Sequence, residues 1–235
     1  MTQLCLPLSL RDEATFANFL ASAGTVRAQL VRLLQERARN ADGGETSLYL
    51  WGSEGAGRSH LLQAACHDHQ RLGLRVQFLP LTEVREFDPS SLLSDLEYQS
   101  LVCLSGLEAV AGDREWEVAI FNLFNRMREC GSLLLMGGAC SPRELPLTLP
   151  DLQSRLAWSL VFHLPPYDEA EKIAILRFRA ARLGIELGED VAAFILNRGE
   201  RSLATLMTYL ARLDKASLSA HRRVTIPFVK AQFGW

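Results

Sequence analysis

Five short apolar runs punctuate residues 47–164: Ser47-Leu48-Tyr49-Leu50-Trp51, Val76-Gln77-Phe78-Leu79, Leu101 to Leu104, Leu133 to Met136, and Leu160-Val161-Phe162-His163-Leu164. Runs this short and this apolar predict buried strands. The helical-period stretches between them predict that the strands pair in parallel, since a crossover helix returns the chain to the same end of a sheet. Ser59 to Leu72 reads as one such helix and closes at Gly73. Trp116 to Cys130 reads as another, with Trp116, Ile120, Leu123, Phe124 and Met127 on one face before Gly131 stops it. Ahead of the first strand, Val26 to Arg39 is amphipathic, and residues 40–45 form a polar loop. After Pro165-Pro166 the period is wholly helical. Asp168-x-x-Glu171 has the form of a capping box, and helices are predicted up to Leu183-Gly184, from Glu189 to Asn197, and from Arg201 to about Leu218. The predicted architecture is therefore α/β, a five-stranded parallel sheet sandwiched by helices, followed by a small all-helical subdomain.

Composition adds exclusions. The 235 residues are 48% hydrophobic and 22% charged, an ordinary globular balance. No apolar stretch approaches the ~20 residues that span a bilayer, and Met1-Thr2-Gln3-Leu4 lacks a basic leader, so neither a membrane protein nor a secreted precursor is expected. A net charge of -2 is a poor footprint for neutralising phosphates, and direct sequence-specific DNA binding is not expected. Arg222-Arg223, the arginines of the 26–39 helix and Arg58 read as solvated faces. The five cysteines are scattered, without CxxC or Cys/His ligand spacing, which predicts no metal site and fits a reducing cytoplasm.

The sharpest chemical signal is Gly52-Ser53-Glu54-Gly55-Ala56-Gly57-Arg58-Ser59, lying between a predicted strand and a predicted helix. Glycines let successive backbone N–H groups curl around phosphate oxygens, and the helix N-terminus adds its partial positive charge. The alternative is a loop kept for structure alone. Arg58 stands where the consensus has lysine, replacing a compact ammonium with a wide planar fork. With three lysines against twenty-two arginines, part of that change reflects general usage. Hydrolysis also needs a carboxylate at the end of a neighbouring strand to hold Mg²⁺. The strand Leu101 to Leu104 runs instead into Ser105-Gly106, and Glu108 and Asp113 read as solvated loop charges. A self-sufficient ATPase is disfavoured on these grounds.

These residues resemble the AAA+ superfamily and, within it, the Hda family of DnaA-related regulators of bacterial replication initiation. The likeness runs nearly the whole length. It rests on Gln3-Leu4-Cys5-Leu6-Pro7-Leu8, on Tyr49 through Ser59-His60-Leu61-Leu62, on Ala111-Gly112-Asp113 into Trp116-Glu117, on Leu149-Pro150-Asp151-Leu152-Gln153-Ser154-Arg155-Leu156, and on Thr225 to Lys230. Arg58 is typical of that family. The resemblance implies a clamp-binding peptide at 1–10, an AAA+ base at 11–164 and a helical lid at 165–235, with no helix-turn-helix domain after Trp235. It implies nucleotide binding by Gly52, Ser53, Glu54, Gly55, Ala56, Gly57, Arg58, Ser59 and His60, with ADP in a structural role and Mg²⁺ left open. Phe16 and Phe19 lie where relatives flank the adenine, though phenylalanines beside a helix are more often packing residues.

For the N-terminal hexapeptide the resemblance implies docking on the DNA polymerase III sliding clamp (its beta subunit) through Gln3, Leu4, Leu6, Pro7 and Leu8. An extended apolar peptide kept out of helix by Pro7 suits a hydrophobic groove, and it would equally suit a strand on the chain's own core. Arg155 is implied to be an arginine finger acting in trans on ATP held by DnaA, its alternative being a surface salt bridge to Asp151. Three polar contacts common in relatives are missing: the acidic pair at Ser105-Gly106, a polar sensor within Met136-Gly137-Gly138-Ala139, and a lid arginine at Ala204. The function expected is a cytoplasmic negative regulator of replication initiation that is not itself an enzyme and leaves a homodimer open. Its rivals are an autonomous AAA+ ATPase or loader, and a DNA-binding adaptor.

Overall fold

The computed structural model describes residues 10–40, 44–220 and 223–235, with side chains 218–220 left out. The clamp-peptide residues Gln3, Leu4, Leu6, Pro7 and Leu8 lie outside these. The chain divides into two compact units, one ending at Pro165 and the other running from Pro166 to Trp235.

In the first unit, α1 (Val26–Arg39) leads into β1 (Ser47–Trp51) and α2 (Arg58–Arg71). Then come β2 (Val76–Pro80), the single-turn helices α3 (Leu81–Val84) and α4 (Pro89–Leu92), β3 (Leu101–Ser105), α5 (Arg114–Glu129), β4 (Leu133–Gly138), α6 (Pro150–Trp158) and β5 (Leu160–His163). The strands form one all-parallel sheet in the order β2-β3-β4-β1-β5. Alternation along the strands divides their side chains between two cores. Tyr49, Val102, Leu104, Leu134 and Met136 face the α5–α6 side, where they meet Trp116, Ile120, Leu123, Leu152 and Leu156. Leu48, Leu50, Leu101, Cys103 and Leu135 face the other side, against Leu30 and Leu34 of α1 and Leu61, Leu62 and Cys66 of α2.

Helix α5 starts where Asp113, exposed as expected, accepts the amides of Glu115 (3.0 Å) and Trp116 (3.3 Å) and so caps the helix. Two expectations are corrected. The fifth strand is not buried: Leu160 and Val161 are 38% and 37% exposed, because β5 is an edge strand hydrogen-bonded only to β1. Arg27 is not on a solvated face either. It sits on the buried side of α1, 4% exposed, and its guanidinium donates to the Pro165 carbonyl after β5.

The second unit holds α7 (Glu169–Arg182), α8 (Glu189–Arg198), α9 (Leu203–Ala220) and α10 (Ile226–Phe233) around Leu176, Ala180, Ile195, Leu206, Leu210 and Val229. The capping box at its start is complete: the Glu171 amide donates to Asp168 Oδ1 (2.7 Å), and the Asp168 amide to Glu171 Oε2 (2.9 Å). Asp168→Ala is expected to lower stability by about 1 kcal/mol, read as a fall in the thermal melting midpoint of the helical unit.

Candidate functional site: the phosphate loop and Arg155

The loop 52–59 leaves β1 at the carboxyl end of the sheet, the end at which open α/β sheets bind ligands. Gly52 is fully enclosed, and a Cβ there would overlap the carbonyl oxygen of Leu164. Gly55 (φ +78°) and Gly57 (φ +97°) take left-handed conformations, Gly57 as the residue from which α2 springs. A hydrogen bond from the Ala56 amide to the Ser53 carbonyl (3.2 Å) closes the turn, and buried Ala56 anchors it while Ser53, Glu54 and Gly55 stay exposed. Such a curl, opening a long helix, fits a phosphate chain.

Ser59 Oγ lies 3.3 Å from Ser105 Oγ at the end of β3. A hydroxyl therefore stands where a metal-binding carboxylate would be needed. The acid that does reach the loop, Glu108, is already bonded to Arg58 Nη1 (3.5 Å) and to the Ala139 amide (3.0 Å). This donor set does not fit Mg²⁺, and among the described residues no group of three or more His, Cys, Asp or Glu suits a metal. Glu108 is thus no solvated loop charge, nor Arg58 a solvated face: its side chain is 15% exposed and pairs with that carboxylate. His60 turns away from the loop, its Nε2 2.9 Å from the Thr15 carbonyl oxygen and its ring 5.3 Å from that of Phe19. Phe16 and Phe19 pack on the α1–α2 core.

Arg155 lies on α6, with its guanidinium carbon 5.0 Å from the Trp158 ring and 5.9 Å from that of Phe121. No ion pair engages it among the described residues, so the alternative of a salt bridge to Asp151 is not what the structure holds. Trp158 beside it is 67% exposed. The start of α6 is fixed from within the fold. Glu117, fully buried on α5, accepts from the amides of Thr148 (3.0 Å), Leu149 (2.7 Å) and Gly112 (2.8 Å) and from the Thr148 hydroxyl (2.7 Å). Burial pushes the Glu117 carboxyl up, but its hydrogen bonds from Thr148, Gly112 and Leu149 outweigh this and hold it below the ordinary glutamate value.

The family model described as "Hda, lid domain" matches residues 169–233. The fold is that of domain III of the Thermotoga maritima replication initiation protein DnaA: TM-score 0.77 at 21% identity, over 96% of this chain and 98% of that one. Residues 169–233 are thus matched as an Hda lid domain, and the chain as a whole has the fold of DnaA domain III. The chain also resembles AMPPCP-bound DnaA from Aquifex aeolicus, with TM-score 0.73, 19% identity, and 88% and 67% of the two chains covered. The Thermotoga maritima RuvB Holliday junction branch migration motor follows at TM-score 0.66 and 16% identity, covering 91% of this chain and 69% of that one.

Within the first unit the loop 52–59, Ser105 and Glu108 come together at the carboxyl end of the sheet, while Arg155 stands on a separate helix. Sequence reasoning missed Glu108 and Glu117. The signal for Glu117 was present, since it lies three residues before Ile120 and seven before Phe124, a charge on the buried stripe of its helix. No helix among the described residues is long and apolar enough to cross a membrane.

Proposed function

We propose that this chain is a negative regulator of replication initiation that is tethered to the sliding clamp and lends Arg155 to the ATP site of DnaA. The reading draws on the Hda-type lid and the DnaA-like fold, and the observation that carries it is the uncommitted guanidinium of Arg155. A cation held over exposed Trp158 and half-buried Phe121, with no ion-paired carboxylate among the described residues, is available to a neighbour's phosphoryl oxygens, where a planar fork stabilises charge that spreads during transfer. Gln3, Leu4, Leu6, Pro7 and Leu8 supply the tether, raising the local concentration of the AAA+ base near DnaA. The phosphate loop binds a nucleotide, ADP in this reading, in a structural capacity. Hydrolysis by the chain itself is not part of the proposal, because Ser105 gives no carboxylate to pair with Ser59.

The test is phosphate release from ATP-loaded DnaA, with and without this protein and with clamp loaded on DNA. Stimulation that needs the clamp and falls at least ten-fold in Gln3→Ala is the expected result. Phosphate released by this protein alone, with none added from DnaA, would replace the proposal with an autonomous ATPase.

A further inference from the structure

Glu108 occupies an unusual place for an acid. Gly106, in the left-handed region at φ +83°, turns the chain sharply after β3 into the short 3-10 turn Leu107–Ala109. That turn brings the Glu108 carboxylate back over the end of the sheet. Oε1 faces Arg58, the first residue of α2, and Oε2 accepts the amide of Ala139, the first residue beyond β4. One carboxylate thus joins the phosphate loop to the ends of two adjacent strands. The pair is partly withdrawn from water, with side chains 15% and 37% exposed, so its charges are less screened than those of an open surface pair. Buried Tyr49, hydrogen-bonded to the Cys140 carbonyl at 2.9 Å, feels the same charge: its phenol is pushed up first by burial, then by Cys140 and by Glu108.

We infer that Glu108 sets the phosphate-number preference of the loop, acting as an internal anion that shares Arg58 with a nucleoside diphosphate and repels the added charge of a triphosphate. The inference rests on the nucleotide-binding reading given above. It follows from like-charge repulsion at a site where the loop's cation is already half neutralised and where Ser59 and Ser105 provide no carboxylate for a compensating metal. A diphosphate needs only the loop amides and a share of Arg58. A triphosphate brings a further negative charge towards a fixed carboxylate.

The measurement is calorimetric titration of the full chain with ADP and with ATP, in EDTA, for the natural protein and for Glu108→Gln. The natural protein is expected to favour ADP by roughly ten-fold, and Glu108→Gln to bring the ratio close to one by tightening ATP. Glu108→Asp, which keeps the charge, should keep a preference for ADP. Binding with an unchanged ADP/ATP ratio in Glu108→Gln overturns the role of Glu108 and leaves the nucleotide reading intact. Absence of binding to either nucleotide by both proteins overturns the nucleotide reading itself. If Glu108→Gln does not fold, the natural protein decides: raising salt from roughly 0.05 to 0.5 M should shrink the ratio towards one, and a salt-independent ratio removes the electrostatic basis.

Discussion

Arg155→Ala is expected to leave the protein folded and able to bind the clamp while reducing its stimulation of DnaA by about 10³-fold or more. The two halves of that expectation have separate origins. The folded state loses little, because among the described residues the guanidinium makes only cation–π contacts, with Trp158 and Phe121, worth about 0.5–1 kcal/mol at exposed sites. At that magnitude the melting midpoint should move by only about 2–4 °C for a domain of this size. The stimulated rate loses much, because a group that acts only on charge developing during phosphoryl transfer has no substitute in an alanine methyl. Arg155→Lys sharpens the experiment. It keeps the charge but not the planar fork, and should recover only a small part of the rate. Single-turnover phosphate release from ATP-loaded DnaA reads the effect, and undiminished stimulation by Arg155→Ala would refute the trans-acting role.

The second large effect is on stability. Glu117→Ala is expected to destabilise the base by about 3 kcal/mol, a substantial part of the 5–15 kcal/mol that holds a typical domain together. Four donors, the Gly112, Thr148 and Leu149 amides and the Thr148 hydroxyl, would be left facing a cavity in a fully buried site. Glu117→Gln should cost less, since it keeps the shape, but its amide nitrogen would face donors instead of accepting from them. The pH dependence follows from the sign of the shift. A carboxyl held below its ordinary value of 4.5 in the folded state adds stability that is present above about pH 4.5 and lost as pH falls through the lower, folded value. In denaturant melts the gap between natural protein and Glu117→Ala should therefore be smaller at pH 3 than at pH 7. An equal gap at both pH values would mean that the carboxylate charge contributes nothing.

The order of elements could be read from the chain because two physical periods dominate it. The five apolar runs and the helical spacing of Trp116, Ile120, Leu123, Phe124 and Met127 became the strands and α5 almost residue for residue. Gly131 ends that helix from a left-handed conformation that few other residues adopt. Local chemistry was equally legible at Asp168 and Glu171, whose mutual hydrogen bonds involve only neighbours in sequence. What escaped was every feature that depends on position across the sheet. Leu160 and Val161 are as apolar as any central strand, and only the strand order, which places β5 outside β1, leaves them half exposed. Arg27 and Glu108 were misjudged for the same reason, their partners Pro165 and Arg58 being remote in the chain. The loop 52–59 could be picked out because Gly52, Gly55 and Gly57 lie close together in one stretch of chain, whereas the acid that touches it arrives from the turn after β3.

The two faces of α6 have different consequences for how such a protein changes over generations. Its inward residues Leu152 and Leu156 are buried in the core, and its beginning is gripped by Glu117 through Leu149. Its outward residues Asp151, Ser154, Ala157 and Trp158 are exposed. Inheritance of the fold therefore constrains one side of this helix and leaves the other open to substitution. The surface surrounding Arg155 can drift while the scaffold that presents the arginine is passed on intact.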